Sequence, residues 1–341
     1  MRRAPLSRAG DWIVAFAGLS RANLAPLTMS VPLLGAFSAG VQASGLELAG
    51  LALIGLCAHC FGFSLNDLID LPFDRQAPYR QTSALIAGRV SRNAGWAFVL
   101  LQVPLAIGMY ALLGGRALGI GALCTSIALS VVYNLWSKRG RIPRILPELA
   151  LAASISLLCL AGALLQSGQP GVISILFASE LGLVLLLLNS VASGMKDLKT
   201  DQATGARSFV LSTRSGMLDE DQMQLSPTLR AYCLVLQGMI WLGGFSLVVL
   251  LQPGWLITVL VIALSLFGAL HLRMLLFMKS FSALRQAMPL LNGFYNYTAL
   301  ALLVSGGMPL WLFLIYGLFA TWLLSIPLRA SVRVWRKRQV G

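Results

Sequence analysis

Residues 47–74 read ELAGLALIGLCAHCFGFSLNDLIDLPFD, an apolar run that ends in Asn66, Asp67, Asp70 and Asp74. The run from 47 to 66 has the length, roughly 20 residues, that an α-helix needs to cross a hydrocarbon core. Runs of the same kind place further spans near 22–41, 93–113, 117–136, 146–166, 172–195, 230–251, 255–276, 287–305 and 308–328. A bilayer admits only helices or closed barrels, and these runs are too long and too little alternating for barrel strands. The expected fold class is therefore all-α, a polytopic transmembrane helical bundle of nine to ten spans.

Composition agrees. Of the 341 residues 57% are hydrophobic and 11% charged, against about 25% charged in a soluble domain. The net charge of +14 invites a nucleic-acid interpretation, and the positions of the charges exclude it. With the N-terminus inside, Arg2, Arg3, Arg8 and Arg21 are cytoplasmic, as are Arg75, Arg80, Arg89 and Arg92. So are Lys138, Arg139, Arg141 and Arg144, and Lys196, Lys199, Arg207, Arg214 and Arg230. Arg273, Lys279, Arg285 and the tail from Arg329 to Arg338 follow, and only Arg116 falls in an outer turn. That is the positive-inside pattern, with attraction to anionic membrane lipid as a side effect.

The five cysteines lie within expected spans, and Cys57 with Cys60 makes a lone CxxC in apolar surroundings. Packing, not metal or redox chemistry, is the expected role. The basic stretch from Met1 to Asp11 is followed by no compact apolar core with a small-residue cleavage site, so no cleaved signal is expected. Residues 1–21 are assigned to a cytoplasmic or interfacial N-terminus, 22–305 to the bundle, and 306–341 to an added span with a basic tail. The long polar connections, 66–92, 137–147 and 196–229, all fall on the cytoplasmic side. Function concentrates on such loops. The two longest follow spans two and six and begin with carboxylates, as an internal duplication would arrange them.

Asp67, Asp70 and Asp74 are spaced +3 and +4, so a continuing helix stacks all three on one face, with Pro72 free to end or kink it. Asp197 and Asp201, at i and i+4, end span six in the stretch Lys196-Asp197-Leu198-Lys199-Thr200-Asp201. Negative charge is unfavourable at a helix C-terminus, and clustered carboxylates repel unless a cation lies among them. Carboxylates and an amide carbonyl are hard oxygen ligands suited to Mg²⁺, which usually bridges such groups to phosphate. Two clusters at one membrane face would hold two Mg²⁺ around one diphosphate, with nearby Lys and Arg taking the remaining phosphate charge. Ionisation of an allylic diphosphate fits this set: metals and bases stabilise the leaving pyrophosphate, and apolar walls shield the cation. Phe61, Phe63, Trp136, Phe294, Tyr295 and Tyr297 are candidates to face that cation.

These residues resemble the UbiA superfamily of intramembrane prenyltransferases. Asn66 to Asp74 is similar to its NDxxDxxxD motif, and Asp197 to Asp201 with Gly205 to its second aspartate motif. Tyr133 to Arg139 resembles the Tyr…Lys-Arg stretch closing its fourth helix. Leu85 to Ser91 is similar to its segment after the first motif, and Leu19 to Leu24 to its entry into helix one. The resemblance spans residues 12–305 and implies a bundle around a central cavity with a cytoplasmic cap. It implies Mg²⁺, two ions expected, held by Asn66, Asp67, Asp70, Asp74, Asp197 and Asp201. Asp67, Asp70, Asp197 and Asp201 are the catalytic residues so implied, and Asn66, Lys138, Arg139, Lys199 and Arg207 bind diphosphate. The partners implied are a polyprenyl diphosphate donor and a lipophilic acceptor, aromatic or quinone-precursor. Two departures stand out: a tenth span, and the lack of an Arg-Pro step after the first motif.

Single residues carry their own expectations. His59, seven residues before Asn66, reads as a hydrogen-bonded interior histidine, and Glu180 as paired or neutral. Glu148 suits a helix N-terminus, and Asn292 with Asn296 suits either the cavity or helix–helix hydrogen bonding. The runner-up enzyme class, a lipid–alcohol phosphotransferase, also uses paired aspartates and a divalent metal, but its usual Asp-Gly-x-x-Ala-Arg signature is missing and the acids lie on two separated helices. A terpene cyclase or carotenoid elongase on the same scaffold stays open. A lipid or isoprenoid transporter would want its ionisable groups near the bilayer midplane.

Overall fold

The structure is a computed structural model, and it describes residues 9–40, 43–76, 80–137, 142–205, 208–219, 222–277 and 283–305. Among these the chain is almost wholly helical. In order come α1 (Ala9–Leu19), α2 (Ala25–Ser38), α3 (Gly45–Ile69), α4 (Leu71–Asp74), α5 (Arg92–Leu112) and α6 (Ala117–Trp136). Then follow α7 (Ile145–Ser167), α8 (Val172–Leu187), a π-helical turn (Leu188–Ser193), α9 (Gly194–Thr204) and α10 (Phe209–Ser212). A two-residue hairpin, β1 (Gly216–Met217) with β2 (Met223–Gln224), precedes α11 (Pro227–Leu251), α12 (Trp255–Phe277) and α13 (Ala283–Val304).

Seven of these helices are long and apolar enough to cross a membrane among the described residues. The expected first span is shorter, a 3₁₀ turn (Ala22–Leu24) followed by the 14 residues of α2. The expected ninth is α13, whose apolar character is diluted by Asn292 and Asn296. The expected span 308–328 lies outside the described residues. Leu100, Leu101 and Leu105 on α5 and Leu242, Phe245 and Val249 on α11 are exposed. Apolar faces on this scale do not stand in water, so lipid covers them.

The chain divides into two compact units. The first holds residues up to Ile142 together with Ala153–Ala178, and the second Pro143–Ala152 with Ser179 onwards. In the first, α3 starts at a capping box: Ser44 Oγ accepts from the Glu47 N–H and Glu47 Oε2 from the Ser44 N–H. It packs chiefly on α2 and α5. Small residues set the closest approaches, as membrane helices require. Gly55 lies against the backbone of Thr28 and Met29, Gly35 against the Cys159 carbonyl, and Gly162 against the Pro32 carbonyl. Beneath the acidic end of α3, Phe61, Leu65, Leu68 and Ile69 form one buried cluster with Val99 of α5.

In the second unit α12 and α13 pack along each other, with α11 alongside α13. A closed amide network ties the three. Asn292 Nδ2 donates to Gln237 Oε1 (2.8 Å) and to the Gly268 carbonyl (2.7 Å). Gln237 and Asn296 exchange two hydrogen bonds of 3.1 Å each. The asparagines thus serve helix–helix bonding, with Gln237 as the partner that spacing alone did not disclose.

Candidate active site

The first acidic stretch sits where α3 ends. Asp70 is the C-cap of α3, and its carbonyl accepts from the N–H groups of both Phe73 and Asp74 at 2.9 Å. The long helix ends here as expected, and Pro72 falls in the first turn of the short helix α4, where its missing N–H costs nothing. α4 carries the chain on to Asp74, which Arg80 joins to Asp67. Asp67, Asp70 and Asp74 are only 6%, 1% and 6% exposed, so a solvated helix end is ruled out.

Two arginines meet these acids. Arg21 Nη2 donates to Asp67 Oδ1 at 2.7 Å, and Arg80 Nη2 lies 3.4 Å from the same oxygen and 3.2 Å from Asp74 Oδ2. Asn66 Nδ2 donates to Asp70 Oδ2 at 3.2 Å. Each arginine is held in place by local structure. Arg21 adopts a left-handed conformation (φ 50°, ψ 48°) between α1 and α2, a region costly for a residue with a Cβ. Its carbonyl accepts from His59 Nε2 at 3.2 Å, and its guanidinium lies 5.1 Å over the Phe63 ring. A carbonyl only accepts, so His59 carries its proton on Nε2, and Nδ1 accepts from the Thr28 hydroxyl at 3.0 Å. Arg80 begins a turn-rich segment seated on α1, where Ala84 and Val90 are buried with Ala15 and Leu19. Gly88 supplies the positive φ of 69° that this turn needs.

The second acidic stretch lies on α9, in the other unit. Asp197 and Asp201 are half-buried and Lys199 is exposed, while Met195 and Leu198 are fully buried and orient the helix. The helix stops at Gly205, whose φ of 68° is the left-handed C-terminal cap that glycine adopts without strain. The segment beyond is folded rather than open: the Met217 N–H donates to Gln202 Oε1 at 2.8 Å, and Ser215 and Ser226 hydrogen-bond at the foot of the hairpin. Lys138, Arg139 and Arg207 lie outside the described residues.

Among the described residues no three of His, Cys, Asp and Glu converge as a ready-made metal cage. Mg²⁺ does not need one, since it retains waters and takes one or two carboxylates plus substrate phosphates. The hard oxygens of Asn66, Asp67, Asp70 and Asp74, and those of Asp197 and Asp201, fit that ion. Arg21 and Arg80 were legible in the sequence only as cytoplasmic charges. Arg21 does fall in the Leu19–Leu24 stretch that carries part of the resemblance. Glu180 is buried against Gly243 of α11, and its Oε2 has no hydrogen-bond partner among the described residues.

The UbiA prenyltransferase family model matches residues 26–275. No curated protein matches the sequence. Among solved structures, a UbiA homologue from Aeropyrum pernix K1 is similar at a TM-score of 0.60 and 16% identity, covering 83% of this chain and 96% of that one. A digeranylgeranylglyceryl phosphate synthase gives 0.59 at 13% identity, with 86% and 98% covered. A UbiA homologue from Archaeoglobus fulgidus bound to DMAPP and Mg²⁺ gives 0.55 at 14%, with 84% and 99% covered. At these identities the structures establish the shared fold, and the family model spans most of the chain: it is a membrane-embedded prenyltransferase of the UbiA family.

Proposed function

We propose that this prenyltransferase ionises a polyprenyl diphosphate and transfers the prenyl group to a lipophilic acceptor of aromatic or quinone-precursor type, releasing pyrophosphate. The observation that carries it is the buried set of Asp67, Asp70 and Asp74 at the end of a membrane-spanning helix, with Arg21 paired to Asp67 and Arg80 to Asp67 and Asp74. Burial of three carboxylates is costly without counter-charge, and a site that tolerates it is built around cations and their ligands. An A. fulgidus homologue binds GPP and Mg²⁺, which supports the same pairing here.

Asn66, Asp67, Asp70 and Asp74 would hold Mg²⁺ from the first stretch, and Asp197 and Asp201 from the second, with two ions in all. Bound there, Mg²⁺ supplies Lewis-acid stabilisation of the leaving pyrophosphate. The remaining work belongs to the chain. Arg21 and Arg80 offer donors that can turn from carboxylate to phosphate oxygens, so Asp67 and Asp74 are held in place before substrate arrives. Lys199, Lys138, Arg139 and Arg207 add positive charge for the diphosphate. Asn66 orients Asp70 through its amide N–H. The site opens to the cytoplasm, the side on which the basic residues gather.

The test is release of pyrophosphate from geranylgeranyl diphosphate by the purified protein with Mg²⁺ and a panel of aromatic, chlorin and isoprenoid acceptors. Acceptor-dependent release is expected. Release without acceptor, giving a cyclised hydrocarbon, would replace transfer by cyclisation, and no release from any donor would leave a carrier.

A further inference from the structure

The span that leads to Asp197 is not a plain α-helix. Leu188–Ser193 is a π-helical turn, a feature that inserts one extra residue and recurs at functional sites. Asn189 precedes Asp197 by eight residues, which in an uninterrupted α-helix would put it about 80° off that face. With one residue absorbed by the π turn the effective spacing is seven, about 20° short of two full turns. Asn189 therefore shares the face of Asp197, about 10.5 Å along the axis on the side of the apolar span.

The turn is held from outside. Leu188 packs on Gly293 of α13, where a Cβ would not fit. The Ser190 hydroxyl donates to the Leu186 carbonyl, so the Tyr232 hydroxyl of α11 is the donor in its 3.0 Å bond to Ser190 Oγ. The ring of Tyr232 lies 4.7 Å from that of Phe209, adding an aromatic wall.

Against this face, at Asn189, stands a carboxylate of α7. Glu148, in the first turn of α7, accepts a 2.6 Å hydrogen bond at Oε2 from Asn189 Nδ2. Its own helix N-terminus, the expected partner, makes no such bond to it among the described residues. Nor does any described cation pair with it, and Oε1 accepts no hydrogen bond among the described residues. A half-buried carboxylate in a membrane helix, aimed by an amide and with no other hydrogen-bond partner among the described residues, is a functional group by default.

We propose that Glu148 binds the prenyl acceptor and takes its proton, that Asn189 positions it, and that the acceptor accordingly carries a hydroxyl, phenolic or alcoholic. This rests on the prenyl-transfer reading above. The donor's C1–O bond breaks and its electron pair leaves with pyrophosphate. The acceptor's O–H proton passes to Glu148 Oε1, and the freed electron pair forms the new bond to C1, from oxygen or from the ring carbon beside it. In the second case the ring C–H proton is lost to solvent and aromaticity returns. Asn189 and Asp197, two turns apart on one face, put the base and a carboxylate of the second acidic stretch on the same side of this span.

The experiment uses the full-length protein with geranylgeranyl diphosphate, Mg²⁺, and phenolic and long-chain alcohol acceptors, each beside its O-methyl ether. Glu148→Gln keeps an oxygen for the Asn189 bond and removes the base. It is expected to lower acceptor-dependent turnover at least about 100-fold with donor Kd unchanged, and Glu148→Asp to recover part of the loss. Asn189→Ala is expected to raise acceptor KM about tenfold with a smaller change in kcat. Turnover of Glu148→Gln within twofold of wild type, or wild-type use of the methyl ethers as fast as the hydroxyl compounds, would overturn the assignment. Absence of pyrophosphate release by the wild type from every donor would instead bring down the transfer reading beneath it.

Discussion

Arg21 Nη2 lies 2.7 Å from Asp67 Oδ1, and the left-handed turn that delivers Arg21 is pinned at its carbonyl by His59 Nε2. Forty-six residues separate the ion pair along the chain, and the histidine comes from the same helix as the aspartate. One helix thus supplies both the acid and the support for its counter-charge.

Two substitutions at Arg21 separate its charge from its backbone. Arg21→Ala and Arg21→Gly both remove the guanidinium, and both are expected to raise KM for the prenyl diphosphate at least about tenfold. Glycine has no Cβ to strain at φ 50°, so Arg21→Gly should be the more stable of the two by about 1 kcal/mol. Thermal unfolding in detergent measures that order, and equal stability would refute the strain at this turn.

His59 acts on the site only through Arg21. His59→Ala removes the hydrogen bonds to Thr28 and to the Arg21 carbonyl, worth about 1 kcal/mol each. The expected outcome is a lower Tm and an activity loss near tenfold, with the Mg²⁺ concentration giving half-maximal rate unchanged. A changed Mg²⁺ requirement would show that His59 reaches the metal site directly.

Removing an acid should end the chemistry without unseating the protein. Asp67→Ala and Asp197→Ala are each expected to abolish pyrophosphate release while membrane insertion persists. EDTA should stop the wild type and added Mg²⁺ restore it. Full activity in either variant, or turnover in EDTA, would count against metal-assisted ionisation.

The amide network of Gln237, Asn292 and Asn296 should matter for stability alone. Gln237→Ala removes its bonds to the Asn292 and Asn296 amides in a buried setting and leaves only those to the Gly268 carbonyl and between the asparagines, at about 1–3 kcal/mol for each group left unsatisfied. A drop in Tm with unchanged KM for donor and acceptor is expected, and a selective change in acceptor KM would move these residues into the substrate site.

What the sequence by itself determined is what repeats along one helix. Apolar runs placed the long helices α3, α5, α6, α7, α8, α11, α12 and α13 to within a few residues, because burial in lipid and backbone hydrogen bonding are satisfied within each span. The +3 and +4 spacing of Asp67, Asp70 and Asp74, and the +4 spacing of Asp197 and Asp201, disclosed shared faces for the same reason. The tertiary structure decided the partners. Nothing local to Arg21 or Arg80 says that they, among many cytoplasmic arginines, meet Asp67 and Asp74. Nothing local to Gln237 says that it closes a network with α13. The π turn at Leu188–Ser193 is likewise invisible to composition, since it depends on how α13 and α11 pack against it. It sets the angular phase of Asn189 relative to Asp197, and with it the carboxylate of Glu148. Helical periodicity is a property of neighbouring residues, whereas ion pairs and amide networks between helices depend on which faces the folded chain brings within about 3 Å.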